Sequence, residues 1–277
     1  MYEEYWKLKE KPFENTPDSR FFFCSPEHEE ALMRLLYSVE ERKGSAMLSG
    51  EYGSGKTLLS RVIYGKLMQQ EEAYKVALIV NPAIPVLELL GEIVYQLGGE
   101  NSAADRKIDI LRSLNEILFQ TAKEGKHTVV IVDESQVIAD ESVFEELRLL
   151  LNFQLNERFL LTLLLLGQPE LREKIDRIPQ FRQRLALRFH LTTLKPDEVR
   201  SYIEHRLRVA GRQDNMFSDG VYRLIYEHSQ GVPRQINNLC DLSLVIGMGR
   251  KVNIIDEQII SDVVKDMFYH QEAIANG

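Results

Sequence analysis

The stretch GEYGSGKTLL, residues 50–59, sets three glycines, a lysine and a threonine between two apolar runs. The spacing is Gly50-x-x-x-x-Gly55-Lys56-Thr57, after the strand-like run SAMLSG and before the helical pattern TLLSRVIYGKLMQ. Glycines at this density let consecutive backbone N–H groups curl round an anion with no Cβ in the way. The helix that follows adds free N–H groups and the positive end of its dipole. A phosphate loop needs a strand before it and a helix after it, and this one has both. Gly50, Glu51, Tyr52, Gly53, Ser54, Gly55, Lys56, Thr57 and Leu58 are therefore the expected nucleotide contacts. Lys56 would reach the β- and γ-phosphates, where it also serves catalysis, and the Thr57 hydroxyl would bind Mg²⁺.

Runs of the same kind recur along the chain: residues 45–50, 75–80, 127–134, 159–167 and 185–191. They are short, rich in leucine and β-branched residues, and show no alternation, which suits strands of a parallel sheet covered on both faces. Between them, TLLSRVIYGKLMQ and ESVFEELRLLLNFQL have helical spacing. The expected fold class is α/β: a parallel sheet flanked by helices. After Lys195-Pro196 the strand runs stop. Four helical patterns follow, with Ser218 expected to cap the second and Asp256 to open the last. The reading is that residues 1–44 lead into the core, 45–194 form a nucleotide-binding core, 195–270 form a small all-helical lid, and 271–277 are a tail.

The run TVVIVDES supplies a second half to the site. A buried strand ending in Asp133-Glu134 puts two carboxylates at the same sheet edge as the phosphate loop. An acidic strand end alone also fits a solvated edge; beside the loop it fits catalysis. Asp133 would hold the Mg²⁺ shell, and Glu134 would orient or deprotonate the attacking water. Gln168 follows the next apolar run, where a polar side chain can touch a γ-phosphate or that water; a plain loop residue before Pro169 is the alternative. FRQRLALRFHL places Arg182, Arg184 and Arg188 near the last strand run. A guanidinium can stabilise charge on a transferring phosphoryl group, often from a neighbouring subunit, and Arg184 is the first choice of the three. In GVPRQINNL, Arg234 opens a helix, where the dipole slightly disfavours a cation.

Composition narrows the setting. The formal net charge is −8, which gives no support to nucleic-acid binding. The two cysteines, Cys24 and Cys240, show no pairing pattern and read as thiols in a reducing compartment. The N-terminal MYEEYWKLKEKPF is charged and aromatic, unlike a signal peptide. The longest apolar stretch, FLLTLLLLG, is too short to span a bilayer. A cytoplasmic protein is expected, reaching the inner face of a membrane only by recruitment.

In their order, the phosphate loop, the Asp-Glu strand end, the polar residue after the next strand, the arginine cluster and a helical lid opening with Gly-x-Pro-Arg resemble an AAA+ ATPase. The segments from YWKLKEKPFENTPDSRFFF through LSGEYGSGKTLLSR, VDESQ, ELRLLLNF and LLGQPELREKI are similar to the ExeA/GspA-type ATPases of general secretion. That branch has relatives in pilus and exopolysaccharide systems and is akin to transposition ATPases of the TniB/MuB kind. The resemblance implies that ATP is the nucleotide, that Gln168 is sensor 1, Arg184 the arginine finger and Arg234 sensor 2, and that residues 12–23 wrap near the adenine. It also implies a homo-oligomer, a ring or filament such as a hexamer. ExeA-like proteins usually continue into a membrane helix and a periplasmic peptidoglycan-binding domain; this sequence stops after the lid, so the expectation is either a protein without those functions or a fragment of a longer one. The sequence also leaves no residues for a winged-helix DNA reader.

Three functions fit these expectations. In the first, an ATP-driven oligomer remodels or positions a protein partner in envelope assembly. In the second, ATP drives a DNA-bound adaptor like those of transposition. In the third, the nucleotide gates a scaffold with little turnover. The acidic charge favours the first over the second.

Overall fold

Five of the apolar runs become strands of one sheet, and their burial explains their composition. The computed structural model describes residues 1–99, 106–155 and 158–275. In chain order the elements are α1 (Pro26–Glu40), β1 (Ser45–Gly50), α2 (Lys56–Met68), β2 (Tyr74–Ile79), α3 (Val86–Gln96), α4 (Lys107–Lys123), β3 (His127–Val132), α5 (Glu141–Leu150), β4 (Gln154–Leu155) and β5 (Arg158–Phe159). Then come β6 (Leu161–Gly167), α6 (Pro169–Asp176), α7 (Pro179–Arg182), β7 (Leu187–Leu191), α8 (Pro196–Val209), α9 (Val221–Ser229), α10 (Pro233–Gly249) and α11 (Glu257–Ala275).

The five-stranded sheet has the order β2-β3-β6-β1-β7, and every pairing in it is parallel. The three inner strands β1, β3 and β6 are buried along their whole length, so both faces select apolar residues and the alternation of a half-exposed strand is lost. The edge strand β7 is only partly buried. One helical expectation needs correction: the pattern over 141–155 is not one helix. α5 ends at Leu150, and β4 pairs antiparallel with β5, Gln154 opposite Phe159. Helical spacing persists there because Leu151 is buried and Phe153 and Phe159 pack against the same core, while Leu155 of β4 is exposed.

The chain forms two compact units, one of residues 26–51 and 56–191, the other of 1–25, 52–55 and 192–277. The first holds the sheet. The second holds α8 to α11, and residues 1–25 belong to it rather than to the core that 1–44 was expected to enter. The reason is aromatic. Tyr2, Trp6, Phe13 and Phe21 are all buried among apolar side chains of α8 to α11. The Trp6 indole donates to the Leu244 carbonyl at 2.9 Å, and the Tyr2 hydroxyl bonds to Asp241. A strap with neither helical nor strand period can pack only by placing such single large groups.

Arg206 fastens that strap. It is 4% exposed, and its guanidinium donates to the carbonyls of Pro12 and Glu14 and, at 3.0 Å, to the Tyr202 hydroxyl. It lies over the Phe21 ring, 4.9 Å from its centroid. Carbonyl dipoles and aromatic faces thus replace water around a buried charge.

Two helix ends also differ from expectation. Ser218 does not cap α9; its hydroxyl donates to Glu257, and α9 begins after Gly220. The expected tail at 271–277 is helical through Ala275, because no glycine or proline interrupts the chain after Glu257 until its last residue; positions 276–277 lie outside the described residues. Asp256 does open α11, accepting the Ile259 N–H at 3.0 Å.

Trp6 is the chain's only tryptophan, so its fluorescence reports on this unit alone. Arg206→Met strands two carbonyls and should destabilise the unit by about 3 kcal/mol, the scale of hydrogen bonds to a buried charged group. The test is urea unfolding followed by tryptophan emission; an unchanged midpoint would show that the strap does not depend on Arg206.

Candidate functional site

Strand register decides what meets at the C-terminal edge of the sheet. Ser49 of β1 lies opposite Gly167 of β6, and Leu165 of β6 lies opposite Val132 of β3. The segments leaving these three strands therefore start side by side. They are the phosphate loop after Gly50, Gln168 at the head of α6, and Asp133-Glu134.

Lys56 is the first residue of α2 and is 5% exposed. Its ammonium donates to the carbonyls of Gly50 at 2.7 Å and Glu51 at 2.8 Å. Burial pushes its pKa below the ordinary lysine range, against the opposing pull of Glu134, Asp133 and Glu51. One turn on, the Ser60 hydroxyl donates to Asp133 Oδ2 at 3.0 Å, and the Thr57 hydroxyl lies 3.4 Å from Glu134 Oε1. Glu51 and Tyr52 are exposed, Ser54 is buried, and Leu58 is half-buried in the first turn of α2.

Asp133 is 2% exposed and accepts the Glu134 N–H at 2.9 Å. Burial raises its pKa, opposed by the hydrogen bonds from Glu134 N and Ser60. Glu134 itself is left-handed, with φ 50° and ψ 32°. That single residue breaks the strand's alternation, so two consecutive carboxylates both reach α2 instead of facing opposite sides of the sheet.

The sequence reading missed Gln136. Its amide donates to Glu134 Oε2 at 2.6 Å and accepts the main-chain N–H of Gln168 at 3.0 Å. The only signal for it was its place two residues after Glu134 in VDESQ. Gln168, half-buried, is the residue before Pro169 at the start of α6.

The arginine cluster lies elsewhere. The Ser45 hydroxyl donates to the Arg184 carbonyl, so Arg184 stands at the start of β1, about 16 Å along the strand from Gly50 at the usual rise per residue. Its guanidinium donates to Asn152 at 3.2 Å. Arg188 is paired with Asp176 at 2.9 Å and also donates to the Arg182 carbonyl, while Arg182 is exposed.

In the helical unit, to which loop residues 52–55 belong, Arg234 packs on Tyr52 and Gly53. Its guanidinium lies 4.8 Å from the centre of the Tyr52 ring and donates to the phenol oxygen, and its N–H donates to the Gly53 carbonyl at 3.3 Å. Gly53 has φ +79°, and a Cβ there would stand 2.8 Å from Arg234 Cβ, so only glycine allows this approach.

A phosphate loop entering a helix beside an Asp-Glu strand end, on a parallel sheet of this order and followed by a helical unit, is the arrangement of the P-loop AAA+ fold, and the chain has that fold. The profile of the AAA domain family matches residues 39–175. By sequence, the chain is similar to general secretion pathway protein A of Aeromonas hydrophila, 34% identical over 90% of this chain and 45% of that protein. The chain thus spans less than half of that relative's length. Among solved structures, the fold is similar to the Aeropyrum pernix ORC2 protein, with TM-score 0.70 and 19% identity over 93% of this chain and 71% of that one. It is also similar to Drosophila ORC bound to DNA, with TM-score 0.71 and 15% identity over 94% and 65%. Among the described residues, no helix is long and apolar enough to cross a membrane.

The buried carboxylate gives a pH prediction. Asp133's folded pKa is raised, so its contribution to stability is full at low pH and is lost as pH rises through that pKa. Asp133→Asn removes the ionisation. The nucleotide-free variant should therefore unfold at higher urea than wild type near about pH 7.5, and the gap should narrow near about pH 4.5. An Asn variant no more stable than wild type at the higher pH would contradict this.

Proposed function

We propose that the chain binds ATP with Mg²⁺ and hydrolyses it, and that its ATP-driven homo-oligomer remodels or positions a protein partner in envelope assembly. One observation carries the hydrolytic part. The Glu134 carboxylate and the Thr57 hydroxyl converge to 3.4 Å where the phosphate loop becomes a helix, beside the buried Asp133. This pairing of a carboxylate suited to base catalysis with a hydroxyl suited to metal binding, at the start of α2, supports the hydrolytic reading. The relationship to general secretion pathway protein A supports the envelope part.

The donor set suits Mg²⁺. Thr57 and Asp133 offer hard oxygens, and among the described residues no three His, Cys, Asp or Glu side chains gather into a cage of their own. That matches a cation held by few protein ligands together with substrate phosphates. Bound there, Mg²⁺ would neutralise charge on the phosphate oxygens. Lys56 and the loop N–H groups would bind the phosphates, Glu134 would take the proton of the attacking water, and Gln168 would orient that water or the γ-phosphate. Arg234, on the loop's own Tyr52 and Gly53, is assigned the sensor role, and residues 12–23 the neighbourhood of the adenine. ATP-dependent DNA binding is the alternative, favoured by the resemblance to transposition ATPases and by the likeness in fold to Drosophila ORC bound to DNA; an oligomer that forms with ATP and ignores duplex DNA at low salt would dismiss it.

Lys56→Ala should abolish tight ATP binding while the circular dichroism spectrum is kept. Glu134→Gln should bind ATP normally and hydrolyse it roughly 10²-fold or more slowly, the usual share of a general base. Wild-type affinity in the first variant, or unchanged turnover in the second, would sink the reading.

Arg184 is assigned to a neighbour's nucleotide, a role supported by its place at the opposite end of β1 from the loop. Arg184→Ala should bind ATP yet lose turnover by ~10³-fold. Mixing it with Glu134→Gln should restore part of the activity at interfaces that pair an intact Glu134 with an intact Arg184. A mixture as inactive as its components, although the two co-assemble, would refute a shared site.

A further inference from the structure

Gln136 occupies a junction to which the mechanism above gives no role. It lies in the tight turn Ser135–Val137 that follows Glu134. Its two amide ends have different partners: Nε2 donates to Glu134 Oε2 at 2.6 Å, and Oε1 accepts from the Gln168 N–H at 3.0 Å. The amide therefore cannot be turned over. Reversal would set an N–H donor against the Gln168 N–H and a carbonyl oxygen against a carboxylate, two repulsions in place of two bonds.

The turn that carries Gln136 is itself fixed. Lys174 of α6 donates to the carbonyls of Gln136 and Ile138, both at 2.6 Å, and the Ser135 hydroxyl donates to the Val132 carbonyl at 2.9 Å. The amide also sits tightly against β6: a Cβ at Gly167 would lie 2.8 Å from Gln136 Oε1. The Glu134 carboxylate is consequently held at two points, Oε1 beside the Thr57 hydroxyl on α2 and Oε2 on the Gln136 amide.

We propose that Gln136 is a positioning residue for Glu134, which fixes the carboxylate's orientation and ties it to the backbone of Gln168 at the head of α6. The inference rests on the hydrolytic reading of Glu134. A displacement of Gln168 removes the acceptor's partner, frees the amide to rotate, and so unlatches Glu134. One side chain thereby makes the base sensitive to the residue expected to face the γ-phosphate. A carboxylate that must meet a water within hydrogen-bond reach loses rate steeply with small misplacement.

Three variants of the full chain test this: Gln136→Met, which has similar length and neither amide bond; Gln136→Glu, which keeps the acceptor for Gln168 but sets a negative charge against Glu134; and Gln136→His, whose ring can offer one donor and one acceptor. The measurements are kcat and KM for ATP, and affinity for the slowly hydrolysed analogue ATPγS. Gln136→Met should lower kcat by roughly 10-fold or more with KM and analogue affinity unchanged. Gln136→Glu should be worse than Met, and His better than Met. In a Glu134→Gln background, Gln136→Met should cost nothing further in single-turnover hydrolysis.

A purely structural role makes the opposite forecast: Glu, which still supports Gln168, is milder than Met, and the Met loss persists when Glu134 is replaced. Either result, or wild-type kcat in Gln136→Met, overturns the inference. If Glu134→Gln is inactive while Gln136→Met is fully active, only this inference fails. If Glu134→Gln hydrolyses ATP like wild type, the hydrolytic reading fails and takes this one with it.

Discussion

Parallel pairing of β1 with β6, and of β6 with β3, is the constraint on which the site depends. Parallel strands all end at the same edge, so the segments leaving them emerge together, and the register Ser49 to Gly167 and Leu165 to Val132 keeps those ends level. A one-residue slip would turn side chains to the wrong face along a whole strand. The burial of β1, β3 and β6 at every residue strengthens the constraint, because these strands have no solvated side to rotate into.

That edge concentrates charge where water is scarce. Asp133 is 2% and Lys56 5% exposed, and burial moves both groups toward neutrality, Asp133 upward and Lys56 downward. Their neighbours only partly offset this: the carboxylates of Glu134, Asp133 and Glu51 for the lysine, an N–H and a hydroxyl for the aspartate. Such an arrangement costs stability, and ligands that bring the missing opposite charge recover it. The left-handed Glu134 adds backbone strain at the same place. Local stability is thus traded for charge held ready at one edge, which on the function proposed above meets a polyanion and a hard cation.

The strands were legible in the sequence because burial on both faces imposes a composition that any reader of residues can see. So were Lys56, Thr57, Asp133 and Glu134, since the chemistry of a phosphate loop fixes residue types at fixed spacing. The structure brings all four to one edge. Gln136 was not legible: a glutamine after a strand has no periodicity, and its meaning lies in which atoms its two amide ends face. Arg206 was hidden for a related reason. In DEVRSYIEHRLRVAG it is one arginine among three, and only the strap carbonyls of Pro12 and Glu14 distinguish it. The strap misled through its length. Residues 1–44 hold no strand run, so nothing in the pattern marks the change of allegiance at Ser25, which is set by where four aromatic rings find room.

Sheet polarity also bears on assembly. β7 runs parallel to β1, so the segment that enters β7 must lie at the end of the sheet opposite the phosphate loop. Arg184 is in that segment, joined through its carbonyl to Ser45 at the start of β1. Of its two neighbouring arginines, Arg188 is committed to Asp176, whereas among the described residues Arg184 is held by a neutral amide, Asn152. A neutral partner is released far more cheaply than a carboxylate. On the function proposed here, this difference favours Arg184 over Arg188 as the residue able to leave its own subunit and meet a neighbour's γ-phosphate. It makes that service a consequence of strand direction: within its own core unit, the arginine that enters β7 is held a strand's length from the loop at the other end.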